Sequence, residues 1–128
     1  MPLFAFLFAF AAAVFAAGTS AKADTLTGSW SGGGTVHYSS THERAKCRAT
    51  YSRVSGTLFR MSASCATPSG RVDQSATLNR VGKNSYAGVF HNNQYNITGS
   101  IHVRLRGNTQ QVRLRGSVGG GDFKLRRR

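Results

Sequence analysis

Apolar residues recur at every second position through most of the chain after residue 24, and this alternation limits the fold more than any other feature. In the clearest segment, 95–106, polar or charged residues separate Tyr95, Ile97, Gly99, Ile101, Val103 and Leu105. Successive side chains of a β-strand point to opposite faces, so this pattern predicts a strand with one face in a core and the other in water. No stretch keeps a helical period over about ten residues, which argues against helices.

Eight segments of this kind follow one another, separated by short stretches of glycine, asparagine, serine and proline that are typical of turns. The predicted strands are 26–38, 45–53, 58–65, 72–80, 85–91, 95–106, 111–118 and 123–126. Short turns join strands into antiparallel hairpins, and an open sheet of hairpins would leave exposed edges. We therefore predict an all-β fold, an antiparallel eight-stranded up-and-down meander closed into a small barrel, with a two-sheet β-sandwich as the alternative.

The two cysteines provide a test of this register. If Gly56 is the centre of a hairpin, Cys47 lies directly opposite Cys65, and both point to the predicted apolar face. We predict a structural Cys47–Cys65 disulfide, worth about 3 kcal/mol in the chain-entropy model because it closes a loop of about 15–20 residues. A redox-active or metal-binding pair is disfavoured, because the chain has no CxxC motif and no nearby histidine at ligand spacing.

The N-terminal segment has the features of an export signal. An unbroken apolar run covers 3–17, and Ala21-Lys22-Ala23 matches the small-x-small cleavage pattern. A transmembrane anchor would need about 20 apolar residues. We predict a signal peptide at 1–23, cut before Asp24, which leaves 24–128 as a single exported domain, periplasmic or secreted, without a transmembrane span. A disulfide is expected in such an oxidising compartment.

Cleavage would leave a strongly basic domain. The formal charge falls from +13 to +12, since Lys22 is the one ionised side chain removed. The sixteen remaining Lys and Arg outnumber four acids, which are Asp24, Glu43, Asp73 and Asp122. A protein this basic associates with polyanions at low salt.

The pentapeptide VRLRG occurs twice, at 103–107 and 112–116, so arginines alternate with apolar residues on two neighbouring predicted strands. A two-residue turn at 108–109 sets Arg104 opposite Arg113, and a longer turn sets Arg104 opposite Arg115. In the next hairpin, Arg115 faces Lys124 or Arg126. The predicted anion-binding surface is the outward side of the last three strands, with Arg104, Arg106, Arg113, Arg115, Lys124 and Arg126.

The partner predicted for this surface is an anionic lipid or polysaccharide surface, or an acidic protein, because arginine binds phosphate and carboxylate groups through two parallel hydrogen bonds. Nucleic acid is disfavoured, since no exposed aromatic residues on which bases would stack are interleaved with the arginines. In a second interpretation the cations only keep a wet sheet face soluble, and nothing binds to them.

Catalytic chemistry finds little support in the sequence. General acid–base catalysis needs positioned carboxylates or histidines, and the chain has four of each without a recognisable nucleophile–base pair or phosphate loop. His37, His42 and Glu43 lie near one another in the sequence, but such spacing is more typical of a free loop than of metal ligands. We predict a non-enzymatic protein with no cofactor and no metal site.

Gly28-Ser29-Trp30, near the start of the first predicted strand, resembles the G-x-W opening of lipocalin-type and avidin-type barrels. In those families the tryptophan plugs the closed end of the barrel, so the resemblance implies the same position for Trp30. It also implies an alternative function, a lipocalin-like carrier of a small apolar ligand in the barrel interior. Residues 24–128 as a whole resemble small exported bacterial proteins of unknown function, which implies a compartment but no mechanism. The sequence leaves open whether the interior is filled or hollow.

Overall fold

Eight antiparallel strands close into a barrel in which each strand pairs with the next and the last pairs with the first. The structure, a computed structural model, describes residues 25–128, and the predicted signal peptide, 1–23, and Asp24 lie outside the described residues. The strands are β1 (Gly28–Tyr38), β2 (Thr41–Ser55), β3 (Leu58–Thr67), β4 (Gly70–Gly82), β5 (Ser85–Asn92), β6 (Ile97–Arg106), β7 (Thr109–Gly116) and β8 (Gly119–Arg127). The predicted all-β barrel is confirmed, and the sandwich alternative is wrong. Within 25–128, no helix is long and apolar enough to cross a lipid bilayer.

Several strands begin at other positions than predicted, and the turns before them explain the differences. β2 already begins at Thr41, because a tight turn in which Ser39 has a φ of 55° joins it to β1. β6 begins two residues later than predicted, after Asn96, which has a φ of 52°. β8 begins at Gly119, so residues 119–121, predicted as part of a turn, instead pair with β1.

Alternate residues of the strands point inward and form one apolar core. Its largest fully buried side chains include Trp30, Tyr51, Tyr86 and Phe90. Each such side chain contributes on the order of 1.5–3 kcal/mol when it leaves water. Trp30 lies near the end of the barrel at which β1 begins, and its indole Nε1 donates a hydrogen bond to the carbonyl oxygen of Leu26 at 3.0 Å.

The hairpin of β2 and β3 has the register that the cysteines predict. Cys47 lies opposite Cys65, and the next inward pairs are Ala49 with Ala63 and then Tyr51 with Met61. A disulfide joins the two cysteines, whose Cα atoms are 4.0 Å apart, and both residues are buried. The predicted Cys47–Cys65 disulfide is therefore confirmed.

One buried polar pair crosses the core. The Tyr51 hydroxyl donates a hydrogen bond to Oε1 of Gln110 at 2.8 Å, and both side chains are almost fully buried. Burial raises the pKa of the Tyr51 hydroxyl, which keeps it protonated and able to donate. The Gln110 Nε2 atom has no hydrogen-bond partner. Gln110 points inward because β7 begins at Thr109, two residues earlier than predicted.

Candidate anion-binding surface

All six basic residues predicted to bind anions lie exposed on the outer face of β6, β7 and β8. Alternate residues of these strands are buried, as the period-two pattern predicts: Ile101, Val103, Leu105, Val112, Leu114, Phe123 and Leu125. The predicted outward direction of the cations is confirmed. Their role in anion binding stays a prediction.

The predicted pairing of arginine with arginine is wrong in both proposed registers. The turn between β6 and β7 is Gly107-Asn108 rather than 108–109, and Gly107 has a φ of 58°, which favours glycine. Arg104 therefore lies opposite Gln111 rather than Arg113 or Arg115. This arrangement avoids the repulsion of directly opposed like charges, which costs up to about 1 kcal/mol per pair.

The predicted pairing of Arg115 with Lys124 or Arg126 is wrong as well. Arg115 lies opposite Gly120, because the glycine segment at the start of β8 extends that strand toward β7. Gly120 leaves room for this close approach, since a Cβ atom there would lie 2.3 Å from the carbonyl oxygen of Leu114. Lys124 and Arg126 lie opposite uncharged β7 residues instead.

Two rows of outward residues run around the barrel, and in both rows the residues on β6, β8 and β2 are cations. The first row runs around the barrel from β6 to β4 as Arg104, Gln111, Lys124, Gly33, Lys46, Ala66 and Arg71. The second row is Arg106, Thr109, Arg126, Ser31, Arg48, Ser64 and Asp73. Neighbouring strands are about 4.8 Å apart, so the backbones that carry neighbouring cations of a row are about 9.6 Å apart. An uncharged residue lies between each two neighbouring cations of a row.

A carboxylate on β8 divides the predicted set of six. Asp122 Oδ1 lies 3.1 Å from Arg115 Nη2 and 3.5 Å from Arg113 Nε, and Oδ2 lies 3.4 Å from His37 Nε2. Partial burial alone would raise the pKa of Asp122, but hydrogen bonds from Arg115 and His37 and the charges of Arg115 and Arg113 hold it below its ordinary value. Arg113 and Arg115 are thus already partly neutralised.

The other four predicted cations, Arg104, Arg106, Lys124 and Arg126, make no ion pair with a described acid. The remaining acids of 25–128 are engaged elsewhere. Asp73 pairs with Arg71 at 3.0 Å. Glu43 accepts hydrogen bonds from the hydroxyls of Tyr38 and Ser69, and the Ser69 bond heads the causes that lower the pKa of Glu43.

The prediction omitted cations of β2 that lie on the same surface. Lys46 and Arg48 occupy the two rows two strands away from β8, because β1 pairs with both β8 and β2. An open groove of about 1020 Å³ covers β1 and extends over β2 and β3. The predicted closure of the barrel could have identified Lys46 and Arg48, because it places β1 between β8 and β2.

The interior of the barrel is filled. An internal cavity beside the disulfide, lined by Tyr51, Met61 and Gln74 among others, measures about 20 Å³, which is room for about one water molecule. The Oε1 atom of Gln74 is buried without a hydrogen-bond partner. A small apolar ligand would have to displace core side chains in order to enter.

The histidines named in the sequence form a pair rather than a metal centre. The Nδ1 atoms of His37 and His42 are 2.7 Å apart, so one ring donates a hydrogen bond and the other accepts it. Glu43 hydrogen-bonds elsewhere, to Tyr38 and Ser69. Among residues 25–128, no three His, Cys, Asp or Glu side chains are grouped so that they could hold a metal ion.

No family model matches the chain, and no curated protein matches it. The chain is similar in fold to solved structures of designed proteins. The redesigned β-barrel mFAP1, bound to DFHBI, has a TM-score of 0.68 at 11% identity, over 80% of this chain and 94% of that one. A fluorescence-activating β-barrel designed de novo has a TM-score of 0.63 at 14% identity, over 83% and 96% of the two chains. At such low identity the likeness shows the fold alone, a small antiparallel β-barrel.

Proposed function

We propose that this chain is a non-enzymatic exported binding protein that contacts an anionic component of the cell envelope through its basic outer face. The component would be a lipid headgroup, a surface polysaccharide or an acidic protein. The observation that carries the proposal is the set of cations on β6 and β8, Arg104, Arg106, Lys124 and Arg126, which are exposed and make no ion pair with a described acid. The disulfide supports the exported location, because such bonds persist in oxidising compartments.

The spacing of these cations suits an external anion better than an internal role. Arg104 and Lys124 lie on either side of Gln111, and Arg106 and Arg126 on either side of Thr109. Long side chains about 9.6 Å apart at the backbone can converge on one phosphate or carboxylate group above the uncharged residue between them. The net charge of the domain adds a long-range attraction that salt will screen.

The experiment compares two double variants that each lose two positive charges. Arg104→Ser/Lys124→Ser removes the pair on either side of Gln111, whereas Arg60→Ser/Lys83→Ser removes exposed cations outside these rows. We expect the first variant to elute from heparin at clearly lower salt and to lose retention on phosphatidylglycerol vesicles, while the second stays close to wild type. Equal losses in the two variants would show that net charge, rather than this face, causes the binding.

A carrier of a small apolar ligand is the second candidate, because the redesigned β-barrel mFAP1, which has this fold, is bound to DFHBI. The internal cavity of about 20 Å³ weighs against it, since such a ligand needs far more room. Native mass spectrometry of protein from its own host distinguishes the candidates. A carrier would retain additional bound mass, and an externally acting protein would show the mass of the chain alone.

A further inference from the structure

The floor of the groove over β1 is built from residues with almost no side chain. Ser31 and Gly33 point outward, and the backbone of Gly32 and Gly34 also lines the groove. Larger residues do not fit at Gly33, where a Cβ atom would lie 2.9 Å from the carbonyl oxygen of Ala45. The floor of the groove therefore lies close to the backbone of β1 over several residues.

Cations form both sides of this floor. Lys124 and Arg126 of β8 pair with Gly33 and Ser31 on one side, and Lys46 and Arg48 of β2 pair with the same two residues on the other. Successive outward residues of a strand are about 6.7 Å apart, so each side presents positive charges at that repeat. The cations that line the groove are Arg44, Lys46, Arg48, Arg71 and Arg128, and no acidic residue lines it. Lys124 and Arg126 flank β1 in the sheet, beside the groove.

The shape of the groove and its composition narrow the class of partner. A planar membrane would contact the tips of the flanking side chains and leave the low floor empty. An added peptide strand is excluded, because β1 is hydrogen-bonded on both sides and offers no free edge. No aromatic side chain lines the groove, so the bases of a single-stranded nucleic acid would have nothing on which to stack. A narrow linear polymer with regularly repeated anionic groups fits all three features.

We propose that the groove over β1 binds a linear anionic polysaccharide, which lies along the strand between the cations of β8 and β2. This inference rests on the proposed function and names its ligand class. Carboxylate groups of the polymer would pair alternately with the two sides, and the sugar rings would pass over Ser31 and Gly33. The cations of β6 are then an extension of the site rather than its centre.

A single substitution in the floor tests the proposal. Ser31→Glu places a carboxylate between Arg126 and Arg48, where it would neutralise the cations internally and exclude the polymer without disturbing the core. The matched control, Ser75→Glu, makes the same change on β4 between Ser62 and His91. Affinity for linear polygalacturonate is measured by calorimetry, and binding to phosphatidylglycerol vesicles by co-sedimentation. The thermal midpoint of each variant checks its folding.

We expect Ser31→Glu to weaken polygalacturonate binding at least about tenfold and Ser75→Glu less than about twofold. Equal weakening by both would overturn the groove as the site while leaving general anion binding intact. Wild-type protein that binds the vesicles but not polygalacturonate would overturn the polysaccharide and support the lipid form of the proposed function. Failure to bind either probe would overturn the polysaccharide site and the lipid and polysaccharide forms of the proposed function, leaving an acidic protein as its partner. If Ser31→Glu is unfolded, Lys46→Ser/Arg48→Ser against Arg60→Ser/Lys83→Ser gives the same comparison.

Discussion

The guanidinium group of Arg127 lies over the indole ring of Trp30, 4.3 Å from the ring centroid. Its Nη1 atom donates to the carbonyl oxygen of Thr27 at 2.9 Å, and Nη2 donates to that of Thr25 at 2.8 Å. One side chain at the end of β8 thus covers the buried tryptophan of β1 and binds the segment that precedes it. The contact spans the seam between the first and last strands, where the barrel closes.

Replacement of Arg127 should destabilise the fold. Arg127→Ser removes a cation–π contact and two charge-assisted hydrogen bonds, so we expect a loss of about 1–2 kcal/mol in the free energy of unfolding. Urea unfolding followed by tryptophan fluorescence measures it. The adjacent Arg126→Ser is the control, because Arg126 is exposed and makes no ion pair with a described acid. Equal effects of the two variants would contradict a special role for the contact with Trp30.

The disulfide should account for a sizeable part of the stability. Cys47→Ala/Cys65→Ala removes a cross-link between residues 18 apart in sequence, which is worth about 3 kcal/mol in the chain-entropy model. Thermal and urea unfolding of the variant should match those of wild-type protein kept in reducing agent. A variant as stable as the oxidised protein would show that the β2–β3 hairpin needs no covalent link.

The buried pair of Tyr51 and Gln110 should behave non-additively. Tyr51→Phe leaves Oε1 of Gln110 without its hydrogen-bond donor in the core, which costs about 1–3 kcal/mol. The double variant Tyr51→Phe/Gln110→Met removes both polar groups, and we expect it to recover most of that loss. Urea unfolding of Tyr51→Phe, Gln110→Met and the double variant gives the coupling energy between the two residues. Purely additive losses would contradict the hydrogen bond between them.

Removal of Asp122 should strengthen anion binding. Asp122→Asn frees Arg113 and Arg115, which the carboxylate partly neutralises, so elution from heparin should shift to higher salt. Glu43→Gln removes the same charge from a carboxylate that has no described ion pair. If both variants shift elution equally, net charge explains the effect and the position of Asp122 does not.

The same carboxylate should make stability depend on pH. Its folded-state pKa is lowered, so the ionised form stabilises the fold above the ordinary aspartate pKa of about 3.9, and this contribution is lost as the pH falls through the folded-state value. Asp122 is 48% exposed, so solvent makes the contribution small. We expect the thermal unfolding midpoint of wild type to be higher than that of Asp122→Asn at neutral pH. This difference should shrink in strong acid. A difference that is constant with pH would contradict this.

Local patterns were sufficient to predict the strand content, the inward and outward faces and the register of one hairpin. The alternation in 95–106 correctly placed Ile101, Val103 and Leu105 inside, because a strand repeats every two residues whatever its partners are. The β2–β3 register followed from a hairpin centred on Gly56, which sets Cys47 opposite Cys65 at a distance that allows a disulfide.

Alternation could not determine how β6, β7 and β8 pair. Sliding one strand by two residues leaves every side chain on its own face, so the apolar pattern is equally satisfied by the predicted and the observed registers. The positive φ of Gly107 favours the observed turn and so the observed register of β6 and β7. The glycines at the start of β8 allow close backbone contact and so the observed register of β7 and β8.

The sequence by itself thus determined eight antiparallel strands, a basic charge and a Cys47–Cys65 link, since periodicity, turn residues and charge are local properties. The structure decided between the barrel and the sandwich. Only the tertiary structure decided which cations are neighbours. Closure brings β2 within two strands of β8, joins Arg127 to Trp30 and places Asp122 between Arg113 and His37. The physical reason is that these contacts depend on barrel closure and exact strand register, which join residues far apart in the chain.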